Sequence, residues 1–258
     1  MANNFTSVSP NLDAAYTAQT NFGSYNRQFW TRIPAATTNI TAVTQGQCVA
    51  QRYPVRPVIP SVGAGCDGFI ATNISCFSNT PGTAHIIGLE YLLGTITGPN
   101  TFTDGVAMPI KKVRGTSVQT AASIIFAVAD IQVVGIPNIS MTYTDQDGNT
   151  GNTFNVPINS AIAVNTAYMI NNRMTTDTGI RDITSMSASS VTSGRIRIYG
   201  ILPLYISLQQ NTEYRVPLMS SPLVPYLIQA GEFLGVYRLF STQPSEVFVS
   251  MNLTPEPT

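Results

Sequence analysis

Large apolar residues occupy every second position through Ile139-Ser140-Met141-Thr142-Tyr143-Thr144. The same period returns in Asp182–Ser190 and in Arg195-Ile196-Arg197-Ile198-Tyr199. A period of two predicts strands with one buried and one wet face. Between Thr144 and Thr150 stand Asp145-Gln146-Asp147-Gly148-Asn149. Asp-Gly between two alternating runs predicts a β-hairpin, because glycine accepts a positive φ at no steric cost. Ala121–Ala129 and His85–Leu93 are nearly continuous apolar runs and read as buried strands of the same core.

These patterns predict an all-β protein: an antiparallel β-sandwich, jelly-roll-like, over residues 68–258, with residues 120–207 as its centre. Residues 1–67 read as an extended, loop-rich N-terminal arm. Pro34, Pro54, Pro57 and Pro60 interrupt any long element there, and Arg52-Tyr53-Pro54-Val55-Arg56-Pro57 predicts extended, polyproline-like backbone. Residues 13–19 are compatible with two helical turns capped by Asn11. Trp30, the only tryptophan, sits beside Phe29 and near Tyr25. Such a cluster pins an arm to its own core or anchors it in a neighbour. Asn165–Ile170 reads as a strand end or one helical turn. After Pro217, Pro222 and Pro225 the tail predicts a final strand or two, with Thr254–Thr258 a frayed end.

Composition changes this picture in one respect. Charged residues are 10% of the 258-residue chain, against about 25% in average soluble proteins. Lys111 and Lys112 are the only lysines, so eleven of the thirteen basic residues are arginine, and there are eleven tyrosines. Arg and Tyr are enriched at protein interfaces, where Lys and Glu are depleted; a strand-rich fold also favours tyrosine. Net charge is zero, which argues against nucleic acid and against an anionic membrane as partners. No 18-residue apolar run exists to span a membrane, and no basic patch with an apolar core marks a secretory signal at the N-terminus.

Candidate chemistry is sparse. His85 is the only histidine, and Cys48, Cys66 and Cys76 are widely spaced without a CxxC. Neither a zinc site nor a disulfide framework is expected, and a Ser-His-Asp triad has no nucleophile turn to support it. Gly63-Ala64-Gly65-Cys66-Asp67-Gly68 spells GxGxxG, but strand-like Phe69-Ile70-Ala71 follows where a phosphate loop needs a helix. Asp145–Asn149 faintly resembles a calcium loop, yet Val156 stands where its terminal glutamate belongs. The expectation is a non-enzymatic protein without cofactors or bound metal. Lys111-Lys112-Val113-Arg114 reads as a solvated edge. Arg195 and Arg197 share one strand face and repel unless an acidic or polar group meets them. A subunit interface would supply one, and open solvent is the other reading.

Several blocks together resemble a known family. Trp30 precedes a Pro/Ala/Thr-rich stretch and then the glycine loop at Gly63–Gly68. Gly88-Leu89-Glu90-Tyr91-Leu92 follows. Thr142-Tyr143-Thr144-x-Gln146-x-Gly148 and Thr178-Gly179-Ile180-Arg181 come last, each beside an alternating strand. This order resembles tailed-phage virion structural proteins, specifically head decoration or cement proteins. The resemblance implies a homo-oligomer, commonly a trimer, assembled in the host cytoplasm. It implies the major capsid protein as partner, the outer head surface as location, and no catalytic residues. Candidate interface residues are Trp30, Arg52, Tyr53, Arg56, Arg195 and Arg197. The alternatives are a receptor- or glycan-binding virion module, or a tail or connector structural protein.

Overall fold

The computed structural model describes residues 27–33, 49–53, 58–59, 66–78, 83–98, 100–113, 115–135, 138–157, 163–170, 176–189, 193–209, 226–239 and 247–257. Its strands are β1 (Arg27–Ile33), β2 (Val49–Arg52), β3 (Cys66–Ser78), β4 (Thr83–Thr97), β5 (Thr101–Asp104), β6 (Ile110–Val113), β7 (Thr116–Gln119) and β8 (Ile124–Val134). They continue with β9 (Asn138–Asp145), β10 (Asn152–Pro157), β11 (Thr166–Met169), β12 (Ile180–Ser189), β13 (Ser193–Gln209), β14 (Leu234–Leu239) and β15 (Val247–Pro257). The fold is all-β, with antiparallel sheets in a jelly-roll-like sandwich arrangement.

The local patterns form as the alternation requires. Along β9 burial alternates, with Ile139, Met141 and Tyr143 inside. β9 turns at Asp145–Asn149, where Gly148 has φ +93°, and pairs back with β10 from Asn152↔Tyr143 to Pro157↔Asn138. β12 flanks β9 on its other edge. A second three-stranded sheet runs β1-β15-β3. Thr254–Pro257, expected to fray, are instead paired with β3, from Thr254↔Ile70 to Pro257↔Cys66. A strand edge offers the chain end backbone partners that sequence pattern does not reveal.

The largest sheet returns to its own start. β13 pairs with β8, β8 with β11, β11 with β2, β2 with β14 and β14 with β4, and β4 pairs again with β13. β5 extends this sheet from the outer edge of β4. Register shifts at Ile198/Tyr199 and Pro203/Tyr205 mark bulges along the β4–β13 seam, and bulges increase the twist that closure requires.

Side chains fill the ring in a small-against-large pattern. Ala50, Ala84 and Ala167 lie among Phe126, Tyr199 and Tyr237 in one buried cluster, and a narrow barrel needs that alternation. The opposite faces of the ring strands, including Ile87, Leu89, Ile196 and Ile198, join a second cluster with residues of the two flanking sheets, such as Phe69, Val249, Met141 and Ile183. Strands buried on both faces read as continuous apolar runs. That explains why Ile124–Ala129 and Ile86–Leu93 show no clean alternation.

Candidate functional site

Four polar constellations stand out among the described residues, and each follows from strand register. The deepest lies inside the ring. β2 carries Arg52 opposite Tyr237 of β14, and β4 carries Glu90 on the same interior. Arg52 Nε and Nη2 donate to Glu90 Oε1 and Oε2 at 2.7 and 2.8 Å, a bidentate pair. The Tyr237 hydroxyl also donates to Glu90 Oε1. The Arg52 guanidinium lies 4.7 Å over the Tyr199 ring, and Phe126 stacks on Tyr237 at 4.1 Å. Burial works to discharge Arg52, but the Glu90 hydrogen bonds and charge overcome it and leave the guanidinium more firmly protonated than usual. Burial, then the Glu90 charge, holds the Tyr237 phenol well above its ordinary range.

The second constellation sits where β13 meets β8. Arg195 Nε donates to both Asp130 oxygens at 2.8 and 2.9 Å, and its Nη2 donates to Oδ2 at 2.5 Å. Arg197 Nε lies 2.9 Å from the same Oδ2. The predicted shared face is real, and the acid that meets the two arginines belongs to the same chain. All three side chains remain about a fifth to a third exposed.

The third joins the two sequence blocks that carry the resemblance. Asp145 Oδ1 accepts from the Asp147 and Asn149 amides, and its Oδ2 accepts from the Asn149 side chain. Led by the Asn149 side-chain bond, these donors hold the Asp145 carboxyl below its usual range. Gln146 Oε1 accepts from the amides of Thr178 and Gly179, and Arg181 donates to the Gln146 carbonyl. Tyr143 closes the unit by donating to Asp177. The carboxylate of the suspected calcium loop thus faces N–H donors. No group of three or more His, Cys, Asp or Glu side chains able to hold a metal ion occurs among the described residues.

The fourth corrects an expectation. Lys112 is the solvated edge residue predicted, paired with Asp67, but Lys111 is buried and donates to Glu232. Tyr91 donates to Glu232 Oε1 at 2.7 Å. Alternation along the short strand β6 sends one lysine out and its neighbour in. Burial pulls the Lys111 pKa down, against the pull of Glu232.

The candidate interface residues are therefore dispersed. Arg195 and Arg197 stand together at the partly exposed end of the ring. Arg52 and Tyr53 are buried inside the subunit, which directs their side chains into the fold. Trp30 lies in β1 with its backbone opposite Ser250. Arg56 falls outside the described residues, as do residues 13–19 and the glycines at 63 and 65. β3 begins at Cys66, within the GxGxxG sequence, and Gly68 meets the Ile228 backbone so closely that a Cβ there would lie 2.6 Å from its oxygen. The Glu90 and Asp130 roles were missed by sequence reasoning. Glu90 is a lone acid in an apolar strand, and that anomaly was the available signal.

His85, packed as expected, is fully buried and lies opposite Arg238. Burial, then the Arg238 charge, pulls its pKa from 6.5 to about 3. Above pH 6.5 neither the folded nor the unfolded chain binds this proton. As pH falls from 6.5 toward 3, the unfolded chain takes it up and the folded chain does not, so stability drops by up to about 1.4 kcal/mol per pH unit. Urea midpoints measured from pH 7 to pH 4 should fall more steeply for the natural protein than for His85→Gln. Parallel slopes would mean that the imidazole charges freely within the fold.

No family model and no curated protein sequence matches the chain. Among solved structures, the Gt strain of infectious bursal disease virus is similar at 11% identity, covering 99% of this chain and 85% of that one, with a TM-score of 0.16. A mutant VP2 protein of the same virus, in derived T=1 particles, gives 10% identity, 98% and 81% coverage and a TM-score of 0.19. VP1 of trichodysplasia spinulosa-associated polyomavirus, in complex with sialylated glycooligomers, gives 10% identity, 94% and 98% coverage and a TM-score of 0.14. Likeness at these scores carries no argument for what this chain does.

Proposed function

We propose that this chain is a non-enzymatic structural protein of a tailed-phage virion, a decoration or cement protein on the outer head surface. The supporting observation is the unit formed by the two blocks on which the resemblance rests. Gln146 receives the Thr178 and Gly179 amides and Arg181 caps the same loop, so these residues brace a scaffold. The ring interior is likewise filled by Arg52, Glu90 and packed aromatic rings, which is an arrangement for rigidity. A rigid sandwich repeated by symmetry contributes through many modest contacts, and avidity multiplies each of them. The major capsid protein is the expected partner, and a trimer is the expected assembly.

Electron cryomicroscopy of phage heads with and without the added protein tests this reading. Extra density should appear on the outer head surface at sites between capsomers. Density confined to the tail or connector, or binding to host glycans without heads, would replace the decoration role with one of its alternatives. Deleting residues 1–26, which leaves every described strand intact, should weaken head binding at least about tenfold if those residues reach onto neighbours. Unchanged saturation of heads would remove them from the contact.

A further inference from the structure

The geometry points to a head-to-tail contact between copies of this chain, in which the Arg195/Arg197 end of one subunit receives the Asp104/Asp182 pair of the next. Two observations define the partners. At the ring end, two guanidinium groups share one carboxylate, that of Asp130, which leaves one cation in excess among the described residues. On the flank, Asp104 and Asp182 lie close enough for the Asp104 charge to raise the Asp182 pKa, after burial, the larger cause. Neither of these aspartates has a Lys or Arg partner among the described residues. Their hydrogen bonds come from the amides of Gly105 and Ile183.

Register explains why the two charges cannot satisfy each other within one chain. Arg197 lies opposite Thr95, and Thr95 opposite Thr103. Ile198 lies opposite Gly94, and Gly94 opposite Asp104. Successive strand residues face opposite sides, so the arginine row and the aspartate row lie on opposite faces of the β13-β4-β5 ribbon. Ile198 belongs to the core shared with the flanking sheets, which places Asp104 on the outer side and Arg197 on the ring side. Complementary charges on opposite faces suit a heterologous contact, which closes into a ring or runs on as a filament.

Each patch also offers apolar area. Ile131, opposite Arg195 in the register, is 48% exposed, and Val134 is 52% exposed. Val106, two residues after Asp104, is 66% exposed. An interface core needs such area, and the charges set its register and partner. This junction is independent of the virion assignment, because any assembling protein could use it.

Sedimentation velocity on the purified protein alone tests it, so a failure to bind phage heads does not bear on the result. At low salt the natural protein should sediment above its 27.7 kDa monomer mass and return toward it as salt screens the contact. Arg197→Glu and Asp104→Arg should each associate at least about tenfold more weakly. Mixed in equal amounts, these variants retain one intact acidic and one intact basic face between them. The mixture should recover association above the monomer, because the intact faces meet and the two reversed charges also attract each other. A natural protein that stays monomeric at low salt, variants that associate undiminished, or a mixture that stays monomeric would each overturn the contact. Circular dichroism checks that both variants fold. Should either misfold, Arg197→Gln and Asp104→Asn replace them, and each must show the same weakening.

Discussion

Arg52→Leu should destabilise the protein by about 3–5 kcal/mol, because it leaves the Glu90 carboxylate in the ring interior without its guanidinium. The pair is bidentate, and both side chains are nearly inaccessible, at 7% and 0% exposure. Breaking one side of such a pair strands a charge where water cannot reach it. Replacing both sides has a different consequence, since two apolar residues of similar volume bring no desolvation cost. Arg52→Met with Glu90→Met should therefore recover most of the loss. Tyr237 still needs attention in that variant, because its hydroxyl donates to Glu90. Adding Tyr237→Phe removes the stranded hydroxyl and keeps the stack on Phe126. Urea unfolding of the single, double and triple variants measures the series. A single-variant loss below about 1 kcal/mol would mean that water enters the ring, because a solvated ion pair contributes no more than that.

The β4–β13 seam should be equally intolerant at Gly88. A Cβ there would lie 2.5 Å from the Leu202 carbonyl oxygen and 2.6 Å from Ile201 Cγ2. Gly88 is held between Pro203 on β13 and Gly235 on β14, so neither neighbouring backbone can withdraw without opening the ring. Gly88→Ala should cost about 3 kcal/mol, the upper end of ordinary overpacking. Gly88→Val should prevent closure and yield insoluble chain. Gly115→Ala is the control. Its φ is +79° and nothing lies within 4 Å of the added carbon, so only backbone strain of about 1–2 kcal/mol applies. Thermal melts followed by circular dichroism, with soluble yield, rank the three. A Gly88→Ala melt equal to that of the control would mean that the seam has room to move.

The two variant series probe what the ring does for the proposed role. A structural protein that resists load needs a single well-defined subunit. The ring gives the sandwich a centre without a free edge, since each of its six strands is bonded on both sides. Its partly exposed end carries Arg195, Arg197 and Asp130, so the closed ring presents these charges to solvent. Of the candidate interface residues, these two arginines are the pair that the described structure leaves partly open to solvent.

Legibility in the sequence tracks how local each decision is. The Asp145–Asn149 hairpin, β9, β12 and the shared face of Arg195 and Arg197 were all readable, because a period of two and an Asp-Gly turn act over a few residues. β6 was misread as wholly solvated because a four-residue strand gives too little pattern to show which lysine turns inward. The chain end was misread because pairing with β3, far back in the sequence, holds it in place.

The sequence by itself determined an antiparallel all-β protein, the positions of its alternating strands and the absence of any familiar catalytic motif. Those properties follow from side-chain periodicity, which each segment carries alone. Only the tertiary structure decided that the central sheet closes on itself. It also paired Arg52 with Glu90 across 38 residues and Lys111 with Glu232 across 121. Those partners are set by which distant strands exchange backbone hydrogen bonds, and a polar residue's pattern along its own strand records its face but not what it will meet there.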